Sequence, residues 1–151
     1  MKDSMPTVVV ERIVPAPPRQ VFDAWLDPEA LGHFMCAAPG ITVTRVECDP
    51  RVGGKFLIVM TVGDQDIPHR GEYLAIERYT RLVFTWLSVH AGDGSRVTVR
   101  FAERPGGNTK VTLEHMGLAD AQACASHHDG WSNILEELTR LDGFTDQTET
   151  A

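Results

Sequence analysis

DAQACASHHDGWSNILEELTRL, residues Asp120 to Leu141, is the stretch that decides the fold. Counted from Trp131, the residues Ile134, Leu135, Leu138 and Leu141 lie 3, 4, 7 and 10 positions on. Those offsets stack side chains on one face of an α-helix. The spacing predicts one long amphipathic helix over residues 119–141, ended near Gly143. Trp131 and Leu135 belong to its apolar face. His128 lies three positions before Trp131 and is assigned to the same face.

Nearly everything upstream alternates with period two, as half-buried strands do. Strands are predicted over 7–14, 41–48, 55–62, 67–78, 82–89, 95–103 and 109–115. One face of each is rich in large side chains: Phe56, Ile58 and Met60; then His69 and Tyr73; Phe84 and Trp86; Val99 and Phe101; Leu113 and His115. Gly and Asn/Asp clusters separate the runs and mark turns. Pro15, Pro17 and Pro18 end the first strand, and Pro18 suits the first turn of a helix carrying Val21, Phe22 and Trp25. Asp27 before Pro28 is a cap-and-first-turn signal for a second short helix that ends near Phe34. The expected architecture is α+β: a curved, seven-stranded antiparallel sheet wrapped around the long C-terminal helix, with two short helices between strands 1 and 2. The long helix is taken as the cover of the apolar sheet face. A tail over 1–6, one domain over 7–143 and a flexible tail over 144–151 complete the division.

Composition narrows the function classes. The chain has 151 residues and a formal net charge of -7. Nucleic acid is not an expected partner, because phosphate binding needs a basic footprint. Docking on an anionic membrane is not expected either. Cys36, Cys48 and Cys124 are an odd set without a CxxC pair, which fits free thiols and a cytoplasmic location. Cys124 reads as a small buried hydrophobe, and Cys36 as the most exposed thiol.

The chain resembles the START-like, or SRPBCC, superfamily of helix-grip folds. Within it, the chain resembles homologues of the activator of heat-shock-protein-90 ATPase, in the manner of that activator's C-terminal domain. The carrying segments are VFDAWLDPEAL (21–31), Gly53-Gly54-Lys55-Phe56, Gly71-Glu72-Tyr73, LVFTW (82–86) and Gly130-Trp131. The resemblance implies a helix-grip fold with a hydrophobic cavity. It also implies a chaperone as a candidate partner. Family members commonly carry a tryptophan-rich segment where this chain has GHFMCAAPG, with Phe34 and Met35 near the expected cavity mouth.

The candidate ligand-lining set is therefore Trp25, Phe34, Met35, Phe56, Ile58, Met60, His69, Tyr73, Phe84, Trp86, Val99, Phe101, Leu113, His115, Cys124, His128, Trp131 and Leu135. Apolar walls with a few polar groups are how small-molecule sites are built. His69, His115 and His128, with Tyr73 and Glu114 nearby, are candidates to orient a ligand or move a proton near neutral pH. Cys124 and His128 have the i, i+4 spacing of a zinc pair, but no further ligands have suitable spacing, so no metal or other cofactor is expected. The Gly53-Gly54 pair lacks the spacing of a phosphate loop. The leading expectation is a binding protein for a hydrophobic small molecule. The alternatives are a chaperone-binding module and a lyase, cyclase or hydrolase acting on a hydrophobic substrate. An exposed edge at the second strand would permit a homodimer.

Overall fold

The computed structural model describes residues 7–141 and 144. Its elements run β1 (Thr7–Val14), α1 (Pro18–Ala24), α2 (Pro28–Phe34), β2 (Thr42–Cys48), β3 (Lys55–Val62), β4 (Gln65–Glu77), β5 (Arg81–Ser88), β6 (Gly92–Glu103), β7 (Thr109–Met116) and α3 (Ala121–Thr139). All strands belong to one antiparallel sheet of order β1-β7-β6-β5-β4-β3-β2. This is the expected α+β helix-grip arrangement. Sequential hairpins build the sheet from β2 to β7, and β1 joins β7 at the far edge.

Two of the three helix starts rest on aspartate caps, while α1 starts at Pro18 without a side-chain cap. Asp27 Oδ1 accepts from the Glu29 N–H at 3.0 Å, and Asp120 Oδ1 accepts from the Ala123 N–H at 2.9 Å. Each satisfies one of the orphan donors of a first helical turn. Capping by Asp120 makes α3 begin at Ala121 rather than at residue 119. The expected stop at Gly143 lies outside the described residues. Phe144, expected as the first residue of a tail, is buried with the core.

α3 buries Trp131, Ile134, Leu135 and Leu138. It is not the sole cover of the sheet. α1 and α2 bury Val21, Phe22, Leu31 and Phe34 against the same interior. Phe22 meets Phe101 edge-on at 5.1 Å, and Trp25 meets Phe34 at 5.1 Å. Such pairs add about 0.5–1.5 kcal/mol beyond their burial. The short helices thus bring aromatic volume into the concave face, which the expectation of a single covering helix left out.

One backbone feature shapes the interior, and one ion pair ties the sheet edge to α3. Gly71 lies opposite Phe56 in the β3–β4 pair, and a Cβ there would sit 2.1 Å from Thr85 O and 2.4 Å from the Phe56 ring. The Phe56 ring therefore fills the space that a side chain at 71 would need. At the sheet edge, Arg12 on β1 reaches Glu136 of α3 with an Nε–Oε1 distance of 3.3 Å.

Candidate ligand pocket between the sheet and the long helix

The interface of sheet and helices has two ends with different packing. At the α1–α2 end, Trp25, Met35, Phe56, Ile58, Tyr73 and Phe84 surround only about 10 Å³ of free space. That is room for about one water molecule. Phe34 closes against Trp25, and Val99, Phe101, Leu113 and Leu135 are packed within the same core. These expected cavity residues fill the interior rather than line a large void.

At the other end a pocket of about 140 Å³ remains, between β3–β5 and the middle of α3. Met60, His69, Trp86 and Trp131 line it, all from the candidate set. Its rim adds Ala37, His90, Ser126, His127 and Gly130, which were outside the candidate lining set. Gly130 matters because α3 passes close to the loop after α2: a Cβ at 130 would lie 3.4 Å from the Ala37 Cβ.

The pocket's inner wall is held by a directional hydrogen-bond chain. Trp131 Nε1–H donates to His115 Nδ1 at 2.9 Å. An indole nitrogen only donates, so Nδ1 must be the accepting nitrogen and the neutral ring carries its proton on Nε2. Nε2–H then donates to Ser95 Oγ at 2.8 Å, and Ser95 Oγ–H donates to the Trp86 carbonyl at 2.7 Å. The β5–β6 register sets this up, because Ser95 pairs directly with Trp86. Protonating Nδ1 would oppose two donors across one bond. Burial, reinforced by His127, holds His115 well below its ordinary value, at about 3.

His69 lies on the same wall, its ring 5.1 Å from that of Trp86. It is 8% exposed, and its Nδ1 has no hydrogen-bond partner. Burial drives its pKa down to about 4, while the nearby backbone carbonyls of Ile58 and Ile67 pull the other way and His90 and His127 add to the lowering. Trp86 Nε1–H is also buried without a partner. An unsatisfied buried polar group costs about 1–3 kcal/mol. Trp25 Nε1 is a third such atom, at the filled end.

His128 is corrected. Its side chain is exposed and 3.7 Å from Asp129, outside the pocket. His127 takes the inward position and meets His115 edge-on at 5.1 Å, with Nδ1–H donating to the Ala123 carbonyl at 2.8 Å. At about 100° per residue, a position four before Trp131 lies nearer the centre of the Trp131–Ile134–Leu135–Leu138 face than one three before it. Cys124 is half-buried and does not line the pocket. Tyr73 is buried at the filled end, and Glu114 lies toward Arg100 at 3.8 Å on the outer face.

Acid–base or thiol chemistry finds little support in this geometry. His69 and His115 are both held neutral, far from titration near pH 7. Cys36, expected as the exposed thiol, is half-buried like the other two cysteines, and burial first and Glu137 second raise its pKa. Among the described residues no group of three or more His, Cys, Asp or Glu side chains gathers as for a metal ion. No helix among them is long and apolar enough to cross a membrane. A larger cleft of about 690 Å³ runs between α1, α2 and the end of α3. It is a solvated groove edged by Asp23, Asp27, Glu29 and Glu137, and none of the unpaired buried atoms borders it.

The family described as "Activator of Hsp90 ATPase homolog 1-like protein" matches residues 15–142. Protein CV1439 from Chromobacterium violaceum is similar in structure, at 25% identity and a TM-score of 0.80, covering 89% of this chain and 94% of that one. The AHSA1-like protein from Aeromonas hydrophila is 25% identical with a TM-score of 0.78, covering 97% and 96%. Protein MLL2253 from Mesorhizobium loti is 28% identical with a TM-score of 0.75, covering 95% and 98%. None of the curated proteins compared with the chain matches it.

Proposed function

The chain belongs to the family of activator of Hsp90 ATPase homolog 1-like proteins, and from that premise we propose that it binds a small, single-ring apolar or aromatic molecule in the pocket beside Trp86 and Trp131. The carrying observation is the 140 Å³ space walled by two indoles whose rings lie 4.9 Å apart. Apolar cavities of about 150 Å³ hold a benzene-sized ring. Drug-sized ligands need about 300–1,000 Å³, so lipids and polycyclic ligands are too large for this interior. The neutral histidines and the absence of an activated thiol favour binding over catalysis.

The test is thermal. A ligand that binds only the folded state stabilises it by about 2.7 kcal/mol at a concentration of 100 Kd. Single-ring aromatics should raise Tm, and Gly130→Leu, which adds a bulky side chain to the pocket lining, should abolish the rise while leaving a cooperative transition. Absence of any rise with toluene, phenol, aniline or benzoate at solubility-limited concentration would sink the proposal.

A second reading draws on the outer sheet face. Arg96 clusters there with Arg81 (paired with Glu77) and Arg100 (3.8 Å from Glu114), beside exposed Leu74 and Met116, on a chain of net charge -7. That patch suits an acidic protein surface, and a chaperone ATPase is the partner the family name suggests. Stimulation of a purified chaperone's ATPase, lost on charge reversal of Arg96 and Arg100, is the expected result. No stimulation at excess protein removes this reading.

A further inference from the structure

The loop between α2 and β2 forms one wall of this pocket, and a side chain of α3 holds it in place. Ala37 lines the pocket from the loop, and Gly130 lines it from the helix. A Cβ at 130 would meet the Ala37 Cβ at 3.4 Å, so the two segments nearly touch there. Asn133 stands three residues after Gly130, about one turn along the same side of α3. Its Nδ2–H donates to the Cys36 carbonyl at 2.7 Å, at the short end for such a bond. A carbonyl only accepts, so the amide must present its nitrogen there. Among the described residues the backbone bonds of the loop are local: Cys36 N–H donates to the Phe34 carbonyl, and Ile41 N–H to that of Ala38. Met35 is buried at the start of the loop, while Pro39 and Gly40 are exposed toward its end. The tie at Cys36 therefore falls between a fixed end and a loose one, one residue before Ala37.

We propose, resting on the binding role above, that Asn133 is a positioning residue for the ligand: by holding the Cys36 carbonyl it seats Ala37 against α3 and limits the pocket to a single ring. The apolar walls Met60, Trp86, Trp131 and Ile134 come from the sheet and α3 and are buried. The wall at Ala37 has no strand ladder or helix behind it, so it yields when its tie is cut. Asn133→Asp keeps the size of the side chain but puts a second acceptor where the donor stood, and two acceptors turn away from each other. Asn133→Ala removes the donor without adding charge. Either change enlarges the pocket at Ala37 and leaves the two indole walls in place.

Two readouts on the full chain test this, with both variants beside the unaltered protein. The first is alkylation of the three thiols by iodoacetamide, followed peptide by peptide in a mass spectrometer. Cys36 is half-buried in the loop. Its labelling should quicken about tenfold in the variants, the factor that one lost hydrogen bond corresponds to, while Cys48 and Cys124 keep their rates. The second is the affinity for phenol against 1-naphthol, which differ by one fused ring. The unaltered protein should favour phenol, and the variants should shift the ratio toward 1-naphthol by about tenfold. A merely structural role would weaken both ligands alike and quicken all three thiols. Either of those patterns, an unchanged Cys36 rate or an unchanged ratio overturns the positioning role and leaves the binding role intact. Should neither variant fold, the unaltered protein decides. The Asn133 side-chain amide should then exchange with water about tenfold more slowly than that of Asn108, and equal rates overturn the tie. Failure of phenol, toluene, aniline and benzoate alike to bind the unaltered protein overturns the binding role and this one with it.

Discussion

The two ends of the sheet–helix interface both carry Trp, Met and Ile and come out differently. At one end Trp25, Phe34, Phe56, Tyr73 and Phe84 leave about 10 Å³. At the other, Trp86, Trp131, His69 and Met60 leave about 140 Å³. Phe, Tyr, Leu and Ile line the filled end, whereas the open end has three histidines and the small residues Ala37, Ser126 and Gly130. α1 and α2 press their apolar faces into the first end, while the second is reached by the loops at Ala37 and His90. Free volume follows both from which segments lean over the sheet and from the small residues they bring.

The largest effect that breaks this comparison is at the filled end. Phe34→Ala should cost about 3–5 kcal/mol in urea unfolding, as for truncation of a close-packed aromatic. A cost below about 1 kcal/mol would mean that this end is not packed tightly.

The next effect is on pH dependence. His69 and His115 have folded-state values lowered to about 4 and about 3. The unfolded chain takes up their protons near the ordinary value of about 6.5, while the folded chain does not. Stability is therefore complete above about pH 6.5 and falls as the pH drops toward the folded values. The fall is at most about 1.4 kcal/mol per pH unit for each histidine. Unfolding curves between about pH 7 and pH 5 should show this slope, and His69→Leu should reduce it by about half. A flat profile would contradict the buried, neutral state of both rings.

Ser95→Ala strips the acceptor from His115 Nε2–H and should cost about 1–3 kcal/mol. It should also shift the Trp131 indole resonance, because the ring that accepts from it is no longer held. An unmoved resonance would show that the chain from Trp131 to the Trp86 carbonyl does not fix the wall. The smallest effect has the opposite sign. Gly130→Ala should raise stability by up to about 1 kcal/mol through helix propensity, since its Cβ meets Ala37 at 3.4 Å. It should weaken ligand binding by narrowing the mouth. Unchanged affinity would place the entrance elsewhere.

Period and punctuation carried the architecture. Alternation gave all seven strands, and the offsets from Trp131 gave α3 and its buried residues. The candidate site was less legible. His127 and His128 are adjacent, and choosing between them needs the rotation of the helix against the sheet to within a fraction of a residue. The sequence reading placed His128 inside, and the helix turns His127 in instead. Ser95 carried no signal, because its role depends on standing opposite Trp86 in the β5–β6 register. Filling of the α1–α2 end depends on side-chain volumes from segments far apart in the chain, which local patterns do not add up.

The contact between Arg12 and Glu136 has a consequence for behaviour at high concentration. β1 is a terminal strand, and it exposes Val9 and Ile13 on its outer face. Such an edge is a template for aggregation unless something blunts it. Arg12 shares the inward parity of Val8, Val10 and Val14, so a strand added beside β1 would strip water from a guanidinium already engaged with α3. An inward charge of this kind discourages further strands from adding. Arg12→Val would keep the alternation of β1 and remove that barrier, turning a well-behaved edge into a nucleus for insoluble assembly.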